Sequence, residues 1–191
     1  MEEGAGWLLV AIARRSISQL VETHSQYNPT LDQLPECLRQ PGASFVTIYR
    51  GKQLRGCVGS VEPHLPLAMD VAFNAVAAAS RDPRFPPVIS DELPALQLSV
   101  TILSRLQRLA YEDDADLVGK LRPGIDGVMI KWRQRRSLLL PQVWERLPQP
   151  GAFLLALADK AGIPCHELAA QPPTVDVFTF TAESCEEDDR I

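Results

Sequence analysis

The feature that most restricts the fold of this 191-residue chain is a strand–turn–strand signal at residues 45–59, two strand-forming runs joined by a two-residue turn. Phe45-Val46-Thr47-Ile48-Tyr49-Arg50 is rich in β-branched and aromatic side chains, and Gly51-Lys52 puts glycine where a tight hairpin requires positive φ. A connection this short joins only antiparallel neighbours. With Arg50 and Gln53 flanking the turn, an unbroken register pairs Tyr49 with Leu54, Ile48 with Arg55, Thr47 with Gly56, Val46 with Cys57 and Phe45 with Val58. Alternation then sets Arg55 and Cys57 on one face with Val46 and Ile48, and Leu54 and Val58 on the other with Phe45 and Tyr49.

The second arm, Leu54-Arg55-Gly56-Cys57-Val58-Gly59-Ser60, carries the most chemistry in the chain. It sets a thiol two residues from a guanidinium, and a cation beside a thiol favours the nucleophilic thiolate. Gly56 and Gly59 leave room for a ligand or another backbone to approach. Burying Arg55 is costly without an anionic partner or a solvent-filled cleft. The plainer readings are a buried cysteine acting as a small hydrophobe, a structural ion pair for Arg55, and glycines that mark a bulge or close strand packing.

An apolar content of 46% allows a substantial core, and the length suits one domain, with room for two lobes. The net charge of −5 argues against nucleic-acid binding through a general basic surface. Cys37, Cys57, Cys165 and Cys185 are scattered without metal-ligand spacing, which suits a reduced intracellular chain rather than a disulfide framework. No apolar run is long enough to span a bilayer, and the acidic start Met1-Glu2-Glu3 lacks a signal's basic region, so a cytoplasmic protein is expected.

Leu9, Ile12, Ala13, Ser16, Ile17 and Leu20 recur at helical intervals and predict an amphipathic first helix. Residues 28–42, with three prolines, read as a surface connection. After Glu62-Pro63-His64-Leu65-Pro66, residues 67–79 form an alanine-rich helix that is apolar all round except for Asp70 and Asn74. Arg81-Asp82-Pro83-Arg84-Phe85-Pro86-Pro87 must then be a loop, read as rigid and salt-bridged, with Arg84 able to reach an anionic ligand. Strict alternation predicts a strand at residues 96–102. The acidic stretch from Tyr111 to Asp116 reads as a solvated loop or helix start, without a calcium-loop pattern. Residues 128–132 read as a strand followed by a basic hairpin loop, Arg133-Gln134-Arg135-Arg136, for which a solvated loop is the plain reading and a phosphate-bearing ligand the bolder one. Gln142 offers an amide to a ligand or a local backbone cap. Residues 151–162 predict a helix closed by Gly162, Cys165-His166 lacks the second pair of a metal site, residues 174–180 predict a last strand, and residues 183–190 an acidic, frayed tail.

Taken together, Leu54-Arg55-Gly56-Cys57-Val58-Gly59, Asp82-Pro83-Arg84-Phe85, Asp126-Gly127, Leu140-Pro141-Gln142-Val143-Trp144 and Lys160-Ala161-Gly162 resemble the AMMECR domain, whose prokaryotic members are labelled AmmeMemoRadiSam system protein A. The resemblance spans residues 5–180, with Val58, Ser80 and Leu139 as small departures. It implies an α+β fold of antiparallel sheets with flanking helices, one AMMECR domain at residues 5–181 made of a larger and a smaller lobe, with a cleft near the thiol motif and the tail at 182–191. It implies no established reaction, but a pathway shared with Memo-like and radical SAM proteins.

Two functions follow as expectations. In the first, an enzyme, Cys57 is the nucleophile or acid–base thiol and His64 moves a proton. Arg55 holds an anionic group of a small ligand or stabilises the thiolate, Gly56 and Gly59 line the site, and Arg84 and Gln142 reach it from other loops. In the second, the same strand belongs to a non-catalytic ligand-binding or adaptor module. Neither requires a metal, a cofactor or a nucleic acid.

Overall fold

The computed structural model describes residues 4–187, which divide into two compact units: residues up to Leu103 with the segment from Glu183, and Ser104–Ala182. In the first unit, α1 (Ala5–Thr23) buries the predicted stripe of Leu9, Ile12, Ala13, Ser16 and Ile17, and ends where His24 turns left-handed and returns its N–H to the Leu20 carbonyl. The proline-rich connection holds a 3₁₀ turn, Leu31–Gln33, and a one-turn helix, α2 (Glu36–Arg39). Then come β1 (Pro41–Arg50), β2 (Gln53–Gly59), the short β3 (Leu65–Pro66) and α3 (Leu67–Ser80). A loop with a 3₁₀ segment at Ser90–Ala95 leads to β4 (Leu96–Leu103). β4 extends the predicted strand by one residue, and β1 begins four residues before the predicted one.

The second unit contains β5 (Gln107–Leu109), α4 (Asp114–Lys120), β6 (Gly127–Trp132), β7 (Arg135–Leu139), a 3₁₀ helix at Pro141–Glu145, α5 (Pro150–Ala161) and β8 (Asp176–Phe180). The acidic stretch thus starts a helix, with the Asp113 carboxylate capping the Asp116 N–H at 2.8 Å. Gly162 closes α5 at φ 64°, as its position after the helix requires. The basic loop is shorter than predicted: only Arg133 and Gln134 turn, while Arg135 and Arg136 already belong to β7.

β9 (Ala182–Glu186) corrects the expectation of a tail frayed from residue 183. It forms an edge of the first sheet, ordered β2-β1-β4-β9, while β3 pairs with β1. Ser184 bonds Thr101 across the strands at 2.8 Å, and the Glu187 N–H donates to the Leu98 carbonyl at 2.9 Å. The tail's charge hid a strand because edge strands tolerate, and often use, charged residues. The rest of the acidic tail lies outside the described residues. The second sheet runs β5-β8-β6-β7, and each unit has its own hydrophobic core.

One face of the first sheet carries Val46, Ile48, Leu98 and Val100, all buried, and packs against α1 and α3. The register between β1 and β2 departs from the sequence expectation at one point. Arg50 faces Gln53 and Tyr49 faces Leu54, but Ile48 faces Gly56, Thr47 faces Cys57 and Val46 faces Val58. Arg55 is the extra residue of a β-bulge. That single insertion moves Cys57 off the Val46–Ile48 face and onto the opposite face, with Phe45, Thr47 and Tyr49.

Candidate functional site

Because α3 crosses β2 closely, Gly56 has no room for a side chain: a Cβ there would stand 2.3 Å from the Ala78 carbonyl oxygen. On the other face the Phe45 ring occupies the place a Gly59 Cβ would take, also at 2.3 Å. The space that the sequence reading reserved for a ligand beside these glycines is thus filled from within. They serve close packing, the plainer of the two readings.

Between them, Cys57 is held at three atoms. Its N–H donates to Asp82 Oδ2 at 2.8 Å, its carbonyl accepts from the Arg84 guanidinium at 3.4 Å, and its Sγ accepts from the Thr47 hydroxyl at 3.4 Å. The physical cause is strand geometry. β2 is an edge, and Thr47 and Cys57 form a non-hydrogen-bonded pair, so their side chains approach closely while the Cys57 N–H and C=O point outward. A loop carboxylate and guanidinium satisfy the outward groups as another strand would, which also shields the edge.

The Asp82–Arg84 pair is itself tightly bound. Arg84 donates through Nε at 2.9 Å and Nη2 at 2.7 Å, and its backbone N–H adds a third bond at 3.1 Å. The Asp82 side chain is 3% exposed and that of Arg84 54%. Hydrogen bonding from Arg84 holds the Asp82 carboxyl well below the usual carboxylate range, and Asp82 in turn raises Arg84, with a further contribution from nearby Cys57. The rigid, salt-bridged loop expected here is present, with the thiol-bearing strand as its substrate for packing.

Arg55 leaves the bulge in a different direction. Its guanidinium meets Glu92 at two 2.8 Å contacts and donates to the Pro86 and Pro87 carbonyls at 2.9 and 3.3 Å. The two side chains are only 11% and 13% exposed, and each shifts the other toward its charged form. The anionic partner required by burial is therefore Glu92, a residue the sequence reading passed over. Arg84, rather than Arg55, is the cation bonded to Cys57.

His64 stands apart: it is 77% exposed, with Nε2 3.4 Å from Glu62, and among the described residues no hydrogen bond or ion pair joins it to Cys57. Tyr49 lies on the same face as Cys57; burial first, then the neighbouring Cys57 and Glu186, raise its phenol. Immediately after Gly59, Ser60 enters a buried polar knot. Ser44 and Ser60 each donate to Asp70 at 2.6 Å and the Asn74 amide donates at 2.9 Å. Burial raises the Asp70 carboxyl, and these donors partly offset it. The isolated Asp70/Asn74 line on an apolar helix was the visible signal; Ser44 and Ser60 are remote in sequence and gave none.

Gln142 belongs to the second unit. It sits exposed on the rim of a depression of about 400 Å³ with Pro123, Gly124, Pro141 and Trp144. Trp144 stacks on Phe153 at 3.9 Å between centroids and donates its indole N–H to the Asp126 carbonyl at 2.6 Å. Asp126 in turn binds Arg122 at 2.6 Å. The Asp126-Gly127 and Leu140–Trp144 motifs thus meet in one structural unit.

Two antiparallel sheets, each with its own helices and core, and an edge strand that presents a half-buried thiol define an α+β protein of two units. The AMMECR1 family model matches residues 10–185, and the chain belongs to that family. A protein of Thermofilum pendens is 37% identical over 95% of this chain and 88% of its own length, and one of Methanothermobacter thermautotrophicus is 36% identical over 96% and 94%. The crystal structure of an uncharacterised protein from Pyrococcus horikoshii superposes with a TM-score of 0.89 at 31% identity, covering 98% of this chain and 94% of that one. Among the described residues, no helix is long and apolar enough to cross a membrane.

Proposed function

We propose that Cys57 is the reacting group of a cysteine-dependent activity exercised at the edge of the first sheet, on a small ligand with an anionic group. The observation that carries this reading is the three-point fixation of a half-buried thiol, with a hydroxyl donor on the sulfur itself. A donor aimed at sulfur stabilises developing negative charge there, and a fixed backbone keeps the nucleophile oriented. Thr47 takes the donor role, and Arg84, the more exposed of the two arginines, offers its outer edge to an anion. Arg55 positions the loop that brings Asp82 and Arg84 to the strand. His64 would serve only as a proton carrier through solvent.

A pathway shared with Memo-like and radical SAM proteins, in a reducing cytoplasm, is part of this proposal. The second reading, a non-catalytic adaptor, draws support from the fact that Arg55 and Arg84 are both already paired and present a fixed polar surface. Reconstitution with those two partner proteins separates the readings. Catalysis predicts that Cys57→Ala abolishes a chemical product and leaves complex formation intact; an adaptor predicts that neither product nor binding responds to Cys57→Ala.

A further inference from the structure

The two hairpins of this molecule close their turns with different chemistry. Each joins its strands through two residues, and the first of these has positive φ: Gly51 at 59° between β1 and β2, and Arg133 at 53° between β6 and β7. Glycine adopts that conformation freely, whereas a long side chain gives up about 1–2 kcal/mol to do so. The second turn retains arginine at this cost. Its guanidinium lies over the Trp132 ring, 4.2 Å from the centroid, and that of Arg135 stands 6.0 Å from the same centroid while donating to the Gly162 carbonyl.

Trp132, Arg133, Gln134, Arg135 and Pro164 enclose a depression of about 470 Å³ whose lining is nearly all carbon. Arg133 and Arg135 are exposed around it. Asp176 faces Lys131 across the strands and is bound to Arg108 at 2.6 Å. The tip therefore combines an apolar hollow with a cationic rim, at an energetic cost to its own turn.

We infer that this hairpin docks an acidic peptide segment of a partner protein, with an apolar side chain against Trp132 and Pro164 and flanking carboxylates on Arg133 and Arg135. Charge complementarity selects the occupant, since the guanidinium fork matches a carboxylate in geometry as well as sign. A nucleic acid fits less well. The carbon lining offers few groups to read a base. The inference is independent of any reaction at Cys57.

The test is fluorescence anisotropy with the full chain and three labelled probes: a short peptide with a leucine flanked by glutamates, its lysine counterpart, and a single-stranded oligonucleotide. The glutamate peptide should bind, more weakly as salt rises, and Arg133→Gly should weaken it about fivefold while leaving the melting temperature unchanged or raised. Arg133→Glu should shift preference toward the lysine peptide, a gain that misfolding cannot mimic. Equal binding of the glutamate peptide to Arg133→Gly and wild type, preference for the oligonucleotide, or binding of no probe would each overturn the inference.

Discussion

Gly56 and Asp82 show how single residues fix the candidate site. At Gly56 even a methyl group would meet the Ala78 carbonyl at 2.3 Å, so Gly56→Ala must push α3 away from β2. Overpacking of this kind costs about 1–3 kcal/mol, which urea denaturation would register as a lower midpoint. Asp82 acts through charge. Its carboxyl is depressed in the folded state, so its contribution is complete above the ordinary carboxylate value and is lost as pH falls through the lower folded one. Asp82→Asn should therefore cost about 2 kcal/mol near neutrality, and the gap from wild type should narrow steadily as acid denaturation is approached. A gap that widened in acid would contradict the assigned ion pair. At this scale the sequence showed Cys57 and Arg55 on one strand and Arg84 on a proline-rich loop beyond the next helix. It could not assign their partners, because Glu92 lies 37 residues from Arg55 and Thr47 ten from Cys57.

At the scale of elements, the hairpin was legible from its turn and its strand-forming residues, although β1 starts four residues earlier than predicted. The bulge was not. Nothing local distinguishes a bulged Arg55 from a regular one, and the insertion is selected by what it aligns: Gly56 beneath α3, and Arg55 toward the loop that carries Glu92. One extra residue exchanged the faces of every side chain beyond it, which is why the expected companions of Cys57 were Val46 and Ile48 and the observed one is Thr47. The Arg55–Glu92 pair should then behave as a tether between β2 and residues 86–92. A double-mutant cycle with Arg55→Gln and Glu92→Gln should return a coupling of about 1–2 kcal/mol, and either single change should speed proteolysis within residues 83–92. Additive effects would show that the two side chains merely lie side by side.

For the whole molecule, the α+β class is what the family resemblance implies and the structure shows it, but the return of the chain to its first sheet was not legible. β9 completes that sheet from beyond residue 180, and Glu187 then accepts from Arg14 and from the Leu98 N–H at 3.2 Å. An acidic terminal stretch gives no local indication of a pairing made across most of the chain. Ending the chain after Ala182 should lower hydrogen-exchange protection along β4 and leave that of β6 and β8 unchanged, because the latter belong to the other core. Uniform loss in both sheets would show that the units do not fold on separate cores.

A cysteine-dependent activity at this edge requires a thiol that is accessible and chemically supported in the native state. Its direct test is the rate of iodoacetamide labelling at Cys57, located by mass spectrometry, in wild type and in Thr47→Val. Labelling of the folded protein at Cys57, slowed several-fold by loss of the Thr47 hydroxyl with unfolding midpoint preserved, is the predicted result. A Cys57 that reacts only once the chain unfolds, or at the same rate without Thr47, would contradict it.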